Sequence, residues 1–233
     1  MESGKTMERK TSSNITIRKV IVWDLPVRLF HWSLVGCIVA AWWSAENDAM
    51  DWHMRFGYAV LALVLFRLIW GLVGSQTARF SQFVRGPTAI LAHLRELAAP
   101  GRMHAHAGHN ALGALAVIGL LTMVTVQAVS GLFTSDGIMT DGPMVEKVSG
   151  ATASLMRTIH MVNFNLLLAI VALHIIAIFI YAGVKRLDLV RPMVTGRAAL
   201  PETEPAPRIV SLSRAFMVAA ISTAAIWALI SFA

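Results

Sequence analysis

The sequence predicts an all-α integral membrane protein, a four-helix transmembrane bundle with one additional C-terminal transmembrane helix. Three observations carry that reading. Of 233 residues, 56% are hydrophobic and only 14% are charged, whereas soluble domains carry about a quarter charged residues. Mean hydropathy is +0.64. The apolar residues are gathered into long runs, each about the length a helix needs to cross a bilayer.

Spans are expected near 29–45, 53–73, 110–133, 157–182 and 214–232. All must be helices, because lipid offers no hydrogen-bonding partner to an open strand edge. The organisation that follows is a polar, basic tail (1–22), a bundle (23–190), an irregular Pro-containing linker (191–213) and a fifth helix (214–233). Residues 1–28, polar and basic before the first span, superficially resemble a secretion signal. No clear A-x-A site follows the apolar core and cleavage would discard His31, so a retained signal-anchor is expected. Within 74–109, Phe80, Phe83, Val84, Ile90, Leu91, Leu94 and Leu97 recur at near-helical spacing beside Arg85, Arg95 and Glu96. That pattern predicts a short interfacial helix interrupted at Gly86-Pro87. The last span holds no histidine, is dominated by Ala, Ile and Ser, and is expected to pack outside the bundle.

Net charge is +7, yet its distribution argues against nucleic acid. Five spans place the tail, the 74–109 loop and the 183–213 linker at one end. That end, with Arg67, carries 17 of the 20 Lys and Arg against 7 of the 13 acids. The other end holds Arg55, Lys147 and Arg157 against six acids. By the positive-inside rule the basic end, and with it the N-terminus, is cytoplasmic. Cys37 is the single cysteine and lies mid-span. A disulfide, a four-cysteine iron–sulfur cluster and a C-x-x-C-H haem attachment are therefore excluded. No glycine-rich dinucleotide fingerprint occurs either.

The histidines carry the chemistry. His160 and His174 are 14 residues apart on one apolar run, which on a helix returns within about 40° of the start and rises roughly 21 Å. Both imidazoles leave one face at two depths of a core about 30 Å thick. Alternating span directions put His31 at the depth of His174, toward the basic end, and His53 at the depth of His160. The plainer reading of each is a polar residue satisfied by a neighbouring helix, but ionisable groups inside spans are functional by default. Four of them sorted into two matched depths point to metal ligation. Two imidazoles per site suit a porphyrin iron, which already has four equatorial ligands, better than zinc, which usually needs a third or fourth protein ligand. The expectation is two non-covalent b-type haems, ligated by His31/His174 and His53/His160.

Haem propionates need cationic partners near the interface, where arginine offers a bidentate fork. Arg28, Arg55, Arg67 and Arg157 lie near span ends, and Arg55 and Arg67, inside the second span, are favoured over the other two. Snorkelling toward lipid phosphate is the plainer role for such residues. His104, His106 and His109 form H-x-H-x-x-H, a weak metal signal without a supporting acid, and His93 is expected at the surface. Glycines in the spans suit a flat macrocycle or close helix packing equally. Trp23, Trp32, Trp42, Trp43, Trp52 and Trp70 read as interfacial belts more readily than as quinone-pocket walls.

At 22–32 the chain reads VWDLPVRLFHW, at 67–74 RLIWGLVG, at 108–115 GHNALGAL and at 130–133 SGLF. IHMVNFNLLLAIVALH follows at 159–174 and LVRPMVTGR at 189–197. In this order the motifs resemble the bacterial cytochrome b561 family, which includes the b-type cytochrome subunits of nickel–iron hydrogenases. The resemblance covers about 20–197 and leaves the tail and fifth span aside. It implies a four-helix bundle in the bacterial cytoplasmic membrane with two b haems. Electrons would pass between a periplasmic redox partner, a hydrogenase or c-type cytochrome, and membrane quinone. Family haem ligands fall on His31, His53, His160 and His174. A self-sufficient membrane oxidoreductase, for instance one acting on superoxide, would share these ligands. A haem-free membrane anchor would leave the matched histidines unexplained.

Overall fold

The computed structural model describes residues 16–84, 86–101, 103, 106–135, 137 and 140–233. Five of its helices are long and apolar enough to cross a membrane: α1 (Leu25–Glu46), α2 (Met50–Val73), α5 (Ala111–Gly131), α6 (Gly150–Gly183) and α8 (Leu212–Ser231). The chain is a multi-pass membrane protein. Each expected span is present, and the largest displacement is at the start of α6, seven residues before the apolar run. There the Ser149 hydroxyl accepts from the Thr152 amide, so a polar cap rather than hydropathy sets the boundary. Asp24 and Asn110 cap α1 and α5 in the same way.

Between the second and third spans, Phe80–Phe83 (α3) and Pro87–Ala98 (α4) form two short helices. Pro87 stands in the first turn of α4, where its missing N–H costs nothing. The segment after α6 departs from the irregular linker expected. Val190–Thr195 (α7) leads into a strand, Arg197–Pro201 (β2), which pairs antiparallel with Ile17–Ile21 (β1) from the tail. Gly196 makes the junction with φ +81°, and its carbonyl accepts from both the Val22 and Trp23 amides. A side chain there would be strained by that φ and would crowd the Trp23 carbonyl at 2.8 Å, so the turn requires glycine.

The ribbon holds residues 17–21 beside residues 197–201. Gln76 exchanges bonds with Arg208, and the Ala107 amide donates to Glu204, so the 74–109 segment joins the same end. The described parts of these basic segments thus share one end of the bundle. α1 packs on α2, α2 on α5, and α5 on α6, while α8 packs on α2. One apolar core lies mid-bundle around Val60, Val64, Leu121, Val124 and Leu167. A second, around Trp23, Val27, Phe66, Trp70, Leu200 and Val218, joins the ribbon and α8 to the basic end. Leu173, Phe179, Phe216 and Trp227 are exposed, as lipid-facing side chains are in a bundle whose solvent is hydrocarbon.

Candidate functional site

At the acidic end, four helices converge on two imidazoles. His53, in the first turn of α2, places its Nδ1 2.9 Å from the Ala41 carbonyl of α1. His160, on α6, places its Nδ1 2.9 Å from the Gln127 carbonyl of α5 and 3.3 Å from the Ser130 hydroxyl. A carbonyl can only accept, so in each ring the proton sits on Nδ1 and Nε2 keeps its lone pair. That is how a metal-ligating histidine is usually oriented. The ring centroids are 6.1 Å apart and the planes cross at 78°. Metal–imidazole bonds of about 2 Å would put the centroids of two rings flanking one ion roughly 6 Å apart, so the pair fits a bis-histidine iron. Gly131 lets the His160 ring lie close: an added Cβ would stand 3.0 Å from its Cε1. Between α1 and α2 runs an apolar groove of about 710 Å³ bounded by Gly36, Trp43, Trp52 and Phe56.

Deeper on α6, Asn163 donates to the Met123 carbonyl at 2.9 Å and to the Gln127 side chain at 2.8 Å. These bonds lock α6 to α5 between the two histidine levels. Toward the basic end, His31 and His174 are neighbours, without the ring contact that His53 and His160 make. The His31 Nδ1 is buried without a hydrogen-bond partner, a costly state that a ligand on this ring would alter.

The two favoured arginines differ. Arg55 is exposed and lies over the Trp52 ring at 5.0 Å. Arg67 is buried, with its guanidinium 4.9 Å from the Phe80 ring and one terminal nitrogen unpartnered. Asp24 interacts with it electrostatically. Asp24 itself caps α1 at the Val27 amide and accepts from Trp70 Nε1 at 3.0 Å. Trp70 is therefore a buried strut between α1 and α2 rather than part of an interfacial belt, and Trp23 is buried as well.

His104 lies outside the described residues. His109 is packed between Trp23 and Phe83, with ring centroids 4.5 Å from each. Burial, reinforced by the charges of Arg67 and His106, pushes its imidazole down to about 3, so it is neutral at physiological pH. Among the described residues no group of three or more His, Cys, Asp or Glu side chains could hold a metal ion.

His93 is not at the surface. It is buried, with Nε2 2.8 Å from the Tyr181 hydroxyl and Nδ1 3.2 Å from Glu96. Asn110 donates to the same hydroxyl at 3.1 Å. Because the carboxylate only accepts, His93 donates through Nδ1 and receives the Tyr181 proton at Nε2. Lys185 adds bonds to the Glu96 and Ala99 carbonyls at the end of α4, where a cation also suits the helix dipole. Sequence reasoning missed this network because its members lie 71 and 88 residues apart. Asp24, by contrast, was detectable as an Asp-Leu-Pro helix start.

Residues 22–196 match the family model described as Prokaryotic cytochrome b561. The chain belongs to that family. It is accordingly a membrane b-type cytochrome, and with the family come b-type haem and electron transfer. No curated protein and no solved structure matches it. The matched region contains all four histidines and ends before β2, so α8 lies outside it.

Proposed function

We propose that the protein is a dihaem cytochrome of the bacterial cytoplasmic membrane, with its N-terminus in the cytoplasm. It carries electrons across the bilayer between a periplasmic redox partner, a hydrogenase or c-type cytochrome, and membrane quinone. The observation that carries this reading is the His53–His160 pair, whose spacing and fixed tautomers suit two imidazoles holding one iron. When bound, haem would supply a one-electron iron couple, held by His53 and His160 in one site and by His31 and His174 in the other.

The chain's own residues do the rest. Ala41 and Gln127 carbonyls hold the outer imidazoles in the ligating tautomer, and Ser130 steadies one of them. His31 and His174 form the second pair, near the basic end. Arg67 is buried on that side with a free N–H, suited to an anionic propionate. Placement of the basic end in the cytoplasm rests on its 17 Lys and Arg.

A pyridine haemochrome spectrum of purified protein, with haem counted against protein mass, tests the reading. Two b-type haems per chain are expected. One haem would mean that a pairing is wrong, and none in folded protein from haem-replete cells would overturn it.

A further inference from the structure

A cavity of about 350 Å³ opens at the basic end, where α2 stops and α8 starts, and three arginines line it: Arg79, Arg208 and Arg214. Its walls are fixed. The Gln76 amide donates to the Arg208 carbonyl, the Arg208 amide returns a bond to the Gln76 side chain, and the Val210 amide donates to the Ser75 hydroxyl. Arg214 reaches back to the Val73 carbonyl at 3.1 Å, which leaves the rest of its guanidinium free of that bond. The Arg79 Nε is buried and has no hydrogen-bond partner.

Among the described residues the charge in this cavity is uncompensated: no carboxylate lines it, and none of the three arginines forms an ion pair. Three guanidiniums held together repel one another unless an anion joins them. The α8 N-terminus, whose cap residue Ser211 leaves its backbone N–H groups without a side-chain partner, adds the positive end of a helix dipole. The remaining lining includes Leu72, Val73 and Ile209, all exposed. Both flanking helices cross the membrane, so the cavity lies at headgroup level with apolar side chains on its rim.

We propose that this cavity binds the phosphate of an anionic phospholipid, such as phosphatidylglycerol, with the acyl chains running over Leu72, Val73 and Ile209. Basic pockets between transmembrane helices at the cytoplasmic face are suited to such headgroups. The occupant bridges α2 to α8, which joins the bundle through α2 and lies outside the family-matched region. The site stands independently of the haem reading.

Native mass spectrometry of the full chain from mild detergent should show a retained anionic phospholipid. Thermal melting with added lipid should show stabilisation by phosphatidylglycerol but not by phosphatidylcholine or inorganic phosphate. Replacement of Arg208 or Arg214 by glutamine should weaken phosphatidylglycerol binding about fivefold each, while R157Q, at the opposite end, should leave it unchanged. If the glutamine variants fail to fold, R208K and R214K keep the charge and should retain part of the binding. Equal stabilisation by phosphatidylcholine, or retention of the lipid by an R79Q/R208Q/R214Q variant, would overturn the proposal. An equal response to inorganic phosphate alone would mean a free-phosphate site and overturn it too.

Discussion

At the acidic end of the bundle, the His53 and His160 rings meet edge to face with both Nδ1 atoms already bonded to backbone carbonyls. At the basic end, His31 has a buried Nδ1 without a partner, and so do nitrogens of Arg28, Arg67, Arg79 and His109. Among the described residues every buried side-chain nitrogen or oxygen without a hydrogen bond belongs to that end. Backbone carbonyls are rigid acceptors that the helices supply wherever they pass, so the first pair is oriented before anything binds. The second end is built from cationic and imidazole nitrogens, which only an anion or a bound group can complete. One end is preorganised by the fold, and the other is electrostatically primed.

The widest separation between the two ends should come from His160→Ala. It removes one ring of the acidic-end pair and, on the proposed dihaem reading, should abolish the haem held there while sparing most of the other. Unchanged haem content and spectrum in this variant would sink the ligand assignment. Gly131→Val should come next, because its Cβ would start 3.0 Å from the His160 ring. Overpacking of this kind costs about 1–3 kcal/mol. The variant should show weakened haem retention and a shifted spectrum confined to the acidic-end site. An altered basic-end signal instead would reverse the pairing.

Arg67→Gln probes the primed end and should lower haem occupancy there more than at the acidic end, measured as two resolved components in a redox titration. Equal loss from both sites would mean that Arg67 supports the fold rather than a propionate. The smallest effect belongs to His109. Its folded value lies near 3, below the ordinary 6.5, so the unfolded chain binds a proton that the folded chain refuses. Its stabilising contribution is present above about pH 6.5 and is lost as pH falls toward 3. His109→Phe should flatten that part of the melting-temperature profile, and a profile parallel to the parent's would exclude the role.

The spans were legible in the sequence because hydropathy is a local property and lipid admits only helices of a certain length. Even the shorter α4 was visible, since its apolar spacing and Pro87 both act within a few turns. Counting along α6 and alternating span direction set the expectation of two matched histidine depths, and His53 and His160 do come into ring contact. Depth alone, however, says nothing about which nitrogen faces a partner. Only the packing brings the Ala41 carbonyl to His53 and the Gln127 carbonyl to His160, because those contacts join different helices.

The failures share that cause. His93 reads as a surface residue on an amphipathic helix until Tyr181, on another helix, covers it. The linker reads as irregular because a two-stranded ribbon gains its hydrogen bonds only when 17–21 and 197–201 meet. Arg79, Arg208 and Arg214 are ordinary topology signals along the chain and become one cavity only where α8 docks on α2. The chain by itself determined the five membrane-spanning helices and the spacing of His160 and His174 along α6. The tertiary structure decided which groups are partnered and which are left open, because burial and hydrogen bonding are properties of pairs that the chain keeps far apart.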